Sequence, residues 1–249
     1  MKPDTAALLL SLNLTFYQSF GPAFAKTRLR IQPGVRRALD EWIAPAGRWL
    51  DLGCGSGALG VEWAKSGRQG LYLGIDSSDA LLSEARRETH AIAPAGLDLR
   101  YEQGDLAGDW AAGCQACFDG VLCFAALHHL PGEELRARVA QQVRVLLPEG
   151  GLFIHSNWQF QHSPKLMARV QPWETIGLTD ADVQEGDTLL DWRYALPGQP
   201  EQTGLRYVHR FTPEELAHLA ALTGFEVVET YESDGQGGRL GHYEVWRAM

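Results

Sequence analysis

Short apolar runs alternate along the chain with stretches whose apolar residues recur every three or four positions. Short runs are typical of β-strands, and the wider spacing is typical of amphipathic helices. Strands that alternate with helices predict a parallel sheet and an α/β fold. Five such strands are predicted in RWLDLG, GLYLGIDSS, LDLRYEQGDL, FDGVLCFAAL and GLFIHSNW, and helices are predicted in GALGVEWAKSG, DALLSEARRET and PGEELRARVAQQVRVLLPEGG.

The C-terminal segment predicts a different arrangement. Thr212, Pro213 and Glu215 combine an N-cap, a proline at the first helical position and a glutamate at the third, so a helix begins there and extends to Gly224. The strands FEVVETYE and HYEVWRA follow, and the Gly-rich linker between them is too short for a crossover helix, so they must be antiparallel. The whole pattern predicts a Rossmann-like, doubly wound, seven-stranded sheet that is mostly parallel, has a C-terminal antiparallel hairpin and carries helices on both faces.

We expect one domain with four parts. The segment between the fifth strand and the C-terminal helix lies outside the alternation of strands and helices, and a connection of that length is usually either functional or disordered. Its aromatic residues favour an ordered cap over a substrate. The parts are an N-terminal helical cap (1–46), a cofactor-binding core (47–157), a substrate-cap insertion (158–211) and the C-terminal helix with its hairpin (212–249), in a single domain of residues 1–249.

The N-terminal segment imitates an export signal, because the apolar run AALLLSLNL precedes the small residues of AFA. Asp4 lies before that run and Asn13 interrupts it, which argues against export. Apolar residues at every fourth position, which share one helical face, are Leu8, Leu12, Phe16 and Phe20. We therefore expect an amphipathic helix that packs on the domain. No apolar run approaches the ~20 residues of a membrane span, so we expect a cytoplasmic protein without membrane association.

Composition and charge restrict the classes of function. The chain has 249 residues, of which 45% are hydrophobic, and a net charge of −9, so it can bury a large core but has no uniformly basic surface for nucleic acid. Four cysteines do not provide the disulfide framework of a secreted protein of this length. The lone C-x-x-C pair, Cys114 and Cys117, leaves zinc or redox duty open, but we expect a reduced pair in a loop and no metal site.

The stretch GRWLDLGCGSGALGVEWA contains a Gly-rich loop with two interpretations. Residues 55–60 read G-x-G-x-x-G, which is typical of a dinucleotide site. In that register Asp51 would lie beside the negative charge of a pyrophosphate, which is unfavourable. If the strand instead ends at Leu52 and the loop begins at Gly53, Asp51 faces a ligand that should carry positive charge. The second register therefore predicts a cationic, nucleotide-like cofactor.

Acidic residues at the ends of the next two strands support the second register. Asp76 can accept hydrogen bonds from both ribose hydroxyls, although an NAD site would also be acidic there. Asp105, which closes the third strand, can accept from the exocyclic amine of adenine. S-adenosylmethionine has an ammonium group, a sulfonium and no phosphate, and the antiparallel hairpin is an independent indication. We therefore predict S-adenosylmethionine as the cofactor.

With these features the chain resembles the class I S-adenosylmethionine-dependent methyltransferases over nearly its whole length. The resemblance is carried by LDLGCGSG, GIDSS, QGDL, FDGVLCFAALHHL and RVLLPEGGLFI. It implies that the Gly-rich loop surrounds the methionine moiety, that Asp76 holds the ribose, and that Asp105 with Leu106 flanks the adenine. The expected cofactor-binding residues are Tyr17, Arg28, Asp51, Gly53, Cys54, Gly55, Ser56, Gly57, Asp76, Ser77, Gly104, Asp105, Leu106, Cys123, Phe124 and Ala125.

The flanking segments resemble the tRNA wobble-uridine methyltransferases, which esterify a carboxymethyl group on uridine. FYQSFGPAFAKTRLRIQPGVRRALDEWI, VLCFAALHHL, GDTLLDW, GLRYVHRFTPEELAHL and GHYEVW occur in that order. An arginine that grips one carboxylate oxygen can position the other, and Arg28, Arg206 and His209 are the candidates. Residues 26–37 hold five basic residues and no acidic one, which makes them the candidate contact for a phosphate backbone. The predicted acceptor is tRNA or, more broadly, a small molecule such as a carboxylic acid, and a protein partner is left open.

The predicted catalytic residues are Arg28, His128 and His209. One residue of the pair His128 and His129 either contacts the acceptor or caps the following helix, and Tyr17 either closes over the cofactor or packs its helix. Two functions of other classes remain as alternatives. One is an NAD(P)-dependent oxidoreductase that uses residues 55–60, and the other is a non-catalytic cofactor-binding module that lacks an open acceptor pocket.

Overall fold

A computed structural model describes residues 1–25, 30–114, 117–194 and 201–249 of the chain. The strands are β1 (Ala46–Leu52), β2 (Gln69–Asp76), β3 (Leu97–Gln103), β4 (Gly120–Phe124), β5 (Leu152–Trp158), β6 (Val170–Gln171), β7 (Asp187–Tyr194), β8 (Gln202–His209), β9 (Phe225–Ser233) and β10 (Gly241–Ala248). The α-helices are α1 (Pro3–Ala25), α2 (Pro33–Trp42), α3 (Ala58–Lys65), α4 (Asp79–His90), α5 (Glu133–Leu146), α6 (Pro164–Met167) and α7 (Pro213–Leu222).

The central sheet has seven strands in the order β3-β2-β1-β4-β5-β10-β9. The strands from β1 to β5 pair in parallel, whereas β10 is antiparallel to both β5 and β9. The strand order reverses between β1 and β4, and in such sheets the loops at the carboxyl edge open a crevice at that point. The predicted seven-stranded sheet with its terminal antiparallel hairpin is confirmed.

Helices cover both faces of the sheet. One core contains Leu135 and Val139 of α5 and Leu216 of α7, packed on apolar residues of the central strands. The other contains Leu59 of α3 and Leu82 of α4, packed on the opposite face. Both faces of the parallel strands are therefore buried, which explains why the fourth strand reads as a continuous apolar run.

Two element boundaries follow from local hydrogen bonds. The predicted capping box of α7 is present: the Thr212 hydroxyl accepts from the Glu215 amide at 3.2 Å, and the Glu215 carboxylate accepts from the Thr212 amide at 2.7 Å. The third strand ends at Gln103 rather than at Asp105. Asp105 instead lies in the following turn, where its carboxylate accepts from the Ala107 amide at 2.9 Å.

The segment after β5 forms a small sheet of its own, β6-β7-β8, which we call the cap sheet. On one face, Leu190 and Val208 pack against Trp158 and Phe160, at and just beyond the end of β5. On the other face, Leu189 packs with residues of α1 and of the turns around Trp173. The cap sheet is thereby held above the carboxyl edge of the central sheet.

Helix α1 attaches to the cap sheet through a polar residue. Asn13 is buried; its amide oxygen accepts from the Tyr207 amide at 2.8 Å, and its nitrogen donates to the carbonyls of Tyr207 at 3.1 Å and His129 at 3.0 Å. The buried face runs through Leu9, Asn13 and Phe16, whereas Leu8 is 39% exposed, so the expected face was displaced at that end of the helix. Across the described ranges, no helix is both long and apolar enough to span a membrane.

Replacing Asn13 by leucine is expected to destabilise the protein. The leucine fills a similar volume but leaves backbone groups of Tyr207 and His129 buried without their hydrogen bonds, at a cost of roughly 2 kcal/mol or more. Urea denaturation measures the loss. The control is Gln18→Leu at an exposed position of the same helix, and equal stability of the two variants would contradict the docking role of Asn13.

Candidate active site

A cavity of about 720 Å³ opens at the carboxyl edge of the central sheet. The loops after β1, β2, β3 and β4 form its floor. Its other walls are α1, the residues that lead into α2, the cap sheet, and the loop between β9 and β10. That last loop reaches the cavity because β10 is antiparallel to β5 and therefore begins at the edge where β5 ends.

Glycines in the left-handed region shape the loop after β1. β1 ends at Leu52, as the second register predicts, and Gly53, Gly55 and Gly57 have φ angles of 71°, 55° and 77°. Residues with a side chain rarely adopt such angles. A Cβ added to Gly55 would meet no atom within 4 Å, so the loop backbone is open to the cavity at that point.

Asp51 lies at the base of this loop and lines the cavity, although it is only 3% exposed. Its carboxylate accepts a hydrogen bond from the Tyr72 hydroxyl at 2.5 Å. Burial raises the pKa of Asp51 to about 7, the hydrogen bond from Tyr72 opposes that rise, and the charge of Asp76 adds to it. The negative charge of Asp51 is therefore costly near neutral pH unless a cation approaches.

Asp76 ends β2 and faces the same loop. Its two oxygens accept from the amides of Gly55 and Ser78, each at 2.9 Å. Burial raises the pKa of Asp76, while these backbone hydrogen bonds oppose the rise. Within the described ranges, neither Asp51 nor Asp76 forms an ion pair with a basic side chain. Two neighbouring carboxylates are thus held at the cavity, and no cation among the described residues pairs with either of them.

The structure brings most of the predicted cofactor residues to the cavity. Those that line it are Tyr17, Asp51, Gly53, Cys54, Gly55, Ser56, Asp76, Ser77, Gly104, Asp105, Leu106, Phe124 and Ala125. Arg28, predicted for both cofactor and acceptor, lies outside the described residues. Most of the predicted cofactor-binding residues therefore lie around one cavity.

Gly57 and Cys123 do not line the cavity and are corrections to the prediction. A Cβ on Gly57 would lie 2.6 Å from the Ala85 Cβ, so this glycine lets α3 approach α4. Cys123 is fully buried inside β4, and burial raises its pKa to about 12. Side chains alternate along a strand, so Cys123 points into the core while Phe124, at the strand end, reaches the cavity.

His128 is also a correction. It is fully buried and absent from the cavity wall, and its Nδ1 accepts from the Trp158 amide at 3.4 Å. Burial lowers the pKa of His128 well below its usual value, so the ring is neutral. It packs the turn after β4 against the end of β5 and does not reach an acceptor.

His209 is the fourth predicted residue that the structure places elsewhere. It is 1% exposed and does not line the cavity. Its Nδ1 lies 2.8 Å from the Asp187 carboxylate and its Nε2 lies 3.3 Å from that of Glu215. Both ring nitrogens are therefore engaged in connecting β8 to β7 and to the first turn of α7, which is a structural role.

His129, rather than His128, faces the cavity. Its Nδ1 lies 3.0 Å from the Tyr207 carbonyl, which can only accept, so Nδ1 carries the proton. Nε2 then accepts from the Tyr17 hydroxyl at 2.9 Å. Tyr17 thus fastens α1 to the turn after β4. The dipeptide signals that one histidine is at the site, but the sequence does not show which ring points inward.

The end of the cavity under the cap sheet is rich in cations. Basic residues that line the cavity there are Lys165, Arg169, Arg193 and Arg206, while Arg30 lines it from the residues before α2. Arg206 is 3% exposed, and its guanidinium carbon lies 4.6 Å from the ring centre of Trp158. Asp234 and Tyr243 of the C-terminal hairpin also line the cavity and were missed. The sequence could have indicated these two residues, because an antiparallel last strand places the loop between β9 and β10 at the carboxyl edge of the central sheet.

Comparisons with known proteins agree with this geometry. A family model described as a methyltransferase domain matches residues 50–150. A protein of Encephalitozoon cuniculi described as a methyltransferase is 28% identical over 86% of this chain and 87% of its own length. The crystal structure of an S-adenosylmethionine-dependent methyltransferase from Clostridium acetobutylicum has the same fold, with a TM-score of 0.63 at 13% identity over 86% of this chain and 88% of that chain. The chain contains a methyltransferase domain, and its fold is that of the S-adenosylmethionine-dependent methyltransferases.

Other relatives match the methyltransferase over a shorter span. The trans-aconitate 2-methyltransferase of Deinococcus radiodurans is 31% identical over 53% of this chain and 46% of its own length. The chain covers about half the length of several of the other curated relatives that it matches. The shared part is the cofactor-binding half, and these relatives leave the acceptor undefined.

The cavity of the methyltransferase fits S-adenosylmethionine better than a dinucleotide. Asp51 and Asp76 are buried carboxylates without basic partners among the described residues, and a cationic amino acid joined to a nucleoside offsets their charge. A pyrophosphate at the same place would add to the repulsion. Gly60, which would complete the dinucleotide pattern, lies inside α3, where a Cβ would meet the Tyr101 hydroxyl at 2.1 Å.

We expect the affinity for S-adenosylhomocysteine, which retains the ammonium group, to rise about tenfold from pH 6 to pH 8. The reason is that Asp51 ionises around pH 7 and only its charged form attracts the cation. In titration calorimetry, Asp51→Asn should weaken the binding of S-adenosylhomocysteine and reduce the change of affinity with pH. Only the pH dependence that comes from other titrating groups should remain. The control Asp119→Asn removes an exposed carboxylate outside the cavity. Unchanged affinity and slope in Asp51→Asn would contradict the role.

The same substitution should stabilise the ligand-free protein at pH 8. Folding raises the pKa of Asp51 from 3.8 to about 7, so its favourable contribution is complete at low pH and is lost as the pH rises through 7. Asparagine has no charge to bury, so the midpoint of thermal unfolding should rise by roughly several degrees. Calorimetry of both proteins at pH 5 and pH 8 checks that the difference grows with pH, and a difference that shrinks would contradict it.

Proposed function

We propose that this methyltransferase esterifies a carboxylate of a small anionic acceptor with the methyl group of S-adenosylmethionine. The observation that carries the proposal is the charge of the two ends of the cavity. Carboxylates that have no basic partner among the described residues line the end at β1 and β2, and four basic side chains line the end under the cap sheet. A cationic cofactor suits the first end, and an acceptor with negative charge suits the second.

On this proposal the chain holds the cofactor with residues of the acidic end. Asp76 keeps lone pairs for the ribose hydroxyls, and Asp51 with the backbone of Gly55 faces the methionine moiety. Asp105 and Leu106 flank the adenine. Tyr17, fixed by its hydrogen bond to His129, covers the site from α1. When bound, S-adenosylmethionine supplies an electrophilic methyl group on its sulfonium.

Arg206 is the residue that we assign to the acceptor carboxylate. It lines the cavity from β8, and the rings of Trp158 and Phe16 flank its guanidinium at 4.6 and 5.3 Å. A guanidinium that grips one oxygen of a carboxylate positions the other oxygen. Since a carboxylate is already nucleophilic at neutral pH, no side chain has to remove a proton. The protein has to align the oxygen and exclude water.

A small acceptor is favoured over tRNA by the state of the basic segment 26–37. Arg36 pairs with Glu62, and Arg37 pairs with Glu41 and Glu229. These two cations are therefore already neutralised, and among the described basic residues of the segment only Arg30 lines the cavity. The net charge of −9 also opposes binding to a phosphate backbone. One relative is named for methylation of trans-aconitate, a tricarboxylic acid, which supports a small carboxylic acid as the acceptor.

Labelled S-adenosylmethionine offered separately to a small-molecule extract and to total tRNA tests the proposal. We expect label in the small molecules, released as methanol by mild alkali because the product is a methyl ester. Label confined to tRNA would make the carboxymethyluridine of tRNA the acceptor. Alkali-stable label would exclude a carboxylate acceptor altogether.

Arg206→Gln should lower kcat/KM for the acceptor by roughly 100-fold, the value of a charge-assisted contact of about 3 kcal/mol. The affinity for S-adenosylhomocysteine should stay within about twofold, which also reports correct folding. Arg206→Lys keeps the charge, so its kcat/KM for the acceptor should lie between those of the wild type and of Arg206→Gln. Arg138→Gln, at an exposed arginine outside the cavity, is the matched control. Equal loss of cofactor affinity and turnover would remove Arg206 from the acceptor site.

A further inference from the structure

Asp191 organises a second group of cations at the cap end of the cavity. It is 4% exposed, and its carboxylate accepts from Arg169 Nη1 at 3.2 Å, from Gln171 Nε2 at 3.2 Å, and from Arg193 Nε and Nη2 at 3.0 Å each. Burying a carboxylate is costly unless donors surround it. Here the donors fix two guanidinium groups side by side on the cavity wall.

The group carries excess positive charge. One carboxylate is shared by Arg169 and Arg193, so one positive charge is not balanced by Asp191. Lys165 lies four residues before Arg169, lines the cavity as well, and has no ion pair within the described ranges. Glu201 lies 4.0 Å from Arg193 in an exposed ion pair, and such a pair neutralises little of the positive charge. We call Lys165, Arg169, Asp191 and Arg193 the cap cluster.

The cap cluster is separate from the arginine assigned to the acceptor carboxylate. In the pairing of β7 with β8, Leu190 is opposite Arg206, whereas Asp191 is opposite Leu205. Since neighbouring residues of a strand point to opposite faces, Arg206 and Asp191 belong to different faces of the cap sheet. The cavity is lined by both. The two cationic sites therefore do not converge on a single carboxylate.

The cavity's other acidic residue at this end does not neutralise the cap cluster. Asp234 has a φ angle of 70°, and its carboxylate accepts from the Gly34 amide at 2.9 Å and from the Tyr243 hydroxyl at 2.5 Å. These bonds attach the hairpin loop to the start of α2. The excess charge beside Arg169 is thus left for a ligand.

We propose that the cap cluster is a second anion subsite, and that the acceptor is a small molecule with at least two anionic groups. One carboxylate lies at Arg206 and receives the methyl group: its oxygen gains a bond to the methyl carbon while the bond from that carbon to sulfur breaks, and no proton moves. The second group, a carboxylate or a phosphate, lies at Arg169 and stays charged. This inference rests on the proposed function, because it presumes an acceptor that binds at Arg206.

The experiment separates the labelled products of the small-molecule extract on an anion exchanger at neutral pH, before and after treatment with alkaline phosphatase. We expect an alkali-labile product that is retained, because the ester still carries its second anion. Retention that survives phosphatase identifies a carboxylate, and retention that phosphatase abolishes identifies a phosphate.

Variants then connect the second anion to the cap cluster. In a dilution series of the acceptor fraction, Arg169→Gln should raise the apparent half-saturation point at least tenfold and leave the maximal rate and the affinity for S-adenosylhomocysteine nearly unchanged. Asp191→Asn, which releases both guanidinium groups, should act in the same direction. The matched control is Arg100→Gln, which removes an arginine paired with Asp98 on the surface of β3.

The outcomes distinguish this inference from the proposed function. An alkali-labile product that is not retained leaves the proposed function standing and overturns the second subsite. Retention with an unchanged half-saturation point in Arg169→Gln also overturns the assignment to the cap cluster. An alkali-stable product, or label found in tRNA alone, overturns both.

Discussion

The site depends on two buried carboxylates, Asp51 and Asp76, that receive no counter-charge from the described part of the chain. Asp51 and Asp76 end adjacent parallel strands, so the sheet itself brings them together at one edge. Burial disfavours their ionisation, and the glycine loop between them supplies backbone donors to Asp76 but no cation. Such an arrangement lowers the stability of the empty protein and is compensated when a positively charged ligand binds. The fold is therefore arranged for a cofactor that carries the missing charge.

The sequence was sufficient to predict the cofactor end of the cavity, because the residues of that end lie where strands of the sheet end. Alternating apolar runs predict parallel strands, the residue at each carboxyl end must lie at the crevice, and the antiparallel hairpin follows from the length of its linker. Inside the strands the prediction was weaker. The family resemblance assigned Cys123 to the cofactor, yet side-chain alternation along β4 points it into the core. His128 and His129 are adjacent, and only their three-dimensional contacts show which ring is inward.

The acceptor end could not be predicted to the same extent because its residues meet through long-range pairing. The strands of the cap sheet have no regular alternation of apolar and polar residues that sets their register. The sequence therefore does not predict that Arg169 bonds to Asp191. His209 illustrates the converse: its motif suggested chemistry, but it is buried, bonds to Asp187 and does not line the cavity. Asp191 lies in the same insertion and is buried between guanidinium groups, a setting that an acidic residue in an irregular polar segment does not predict.

The opposite charges of the two ends also bear on turnover. Esterification of a carboxylate by a sulfonium removes one positive and one negative charge, so both products interact less with the cavity than the substrates did. In the proposed reaction the field of Asp51 and Asp76 would favour loading over retention of the demethylated cofactor, and Arg206 would lose its ionic partner in the ester. A second anion at the cap cluster would keep the acceptor bound while the first is neutralised. Binding and alignment would then be controlled by different residues, with Arg169 holding the unreacted anion and Arg206 positioning the reacting oxygen.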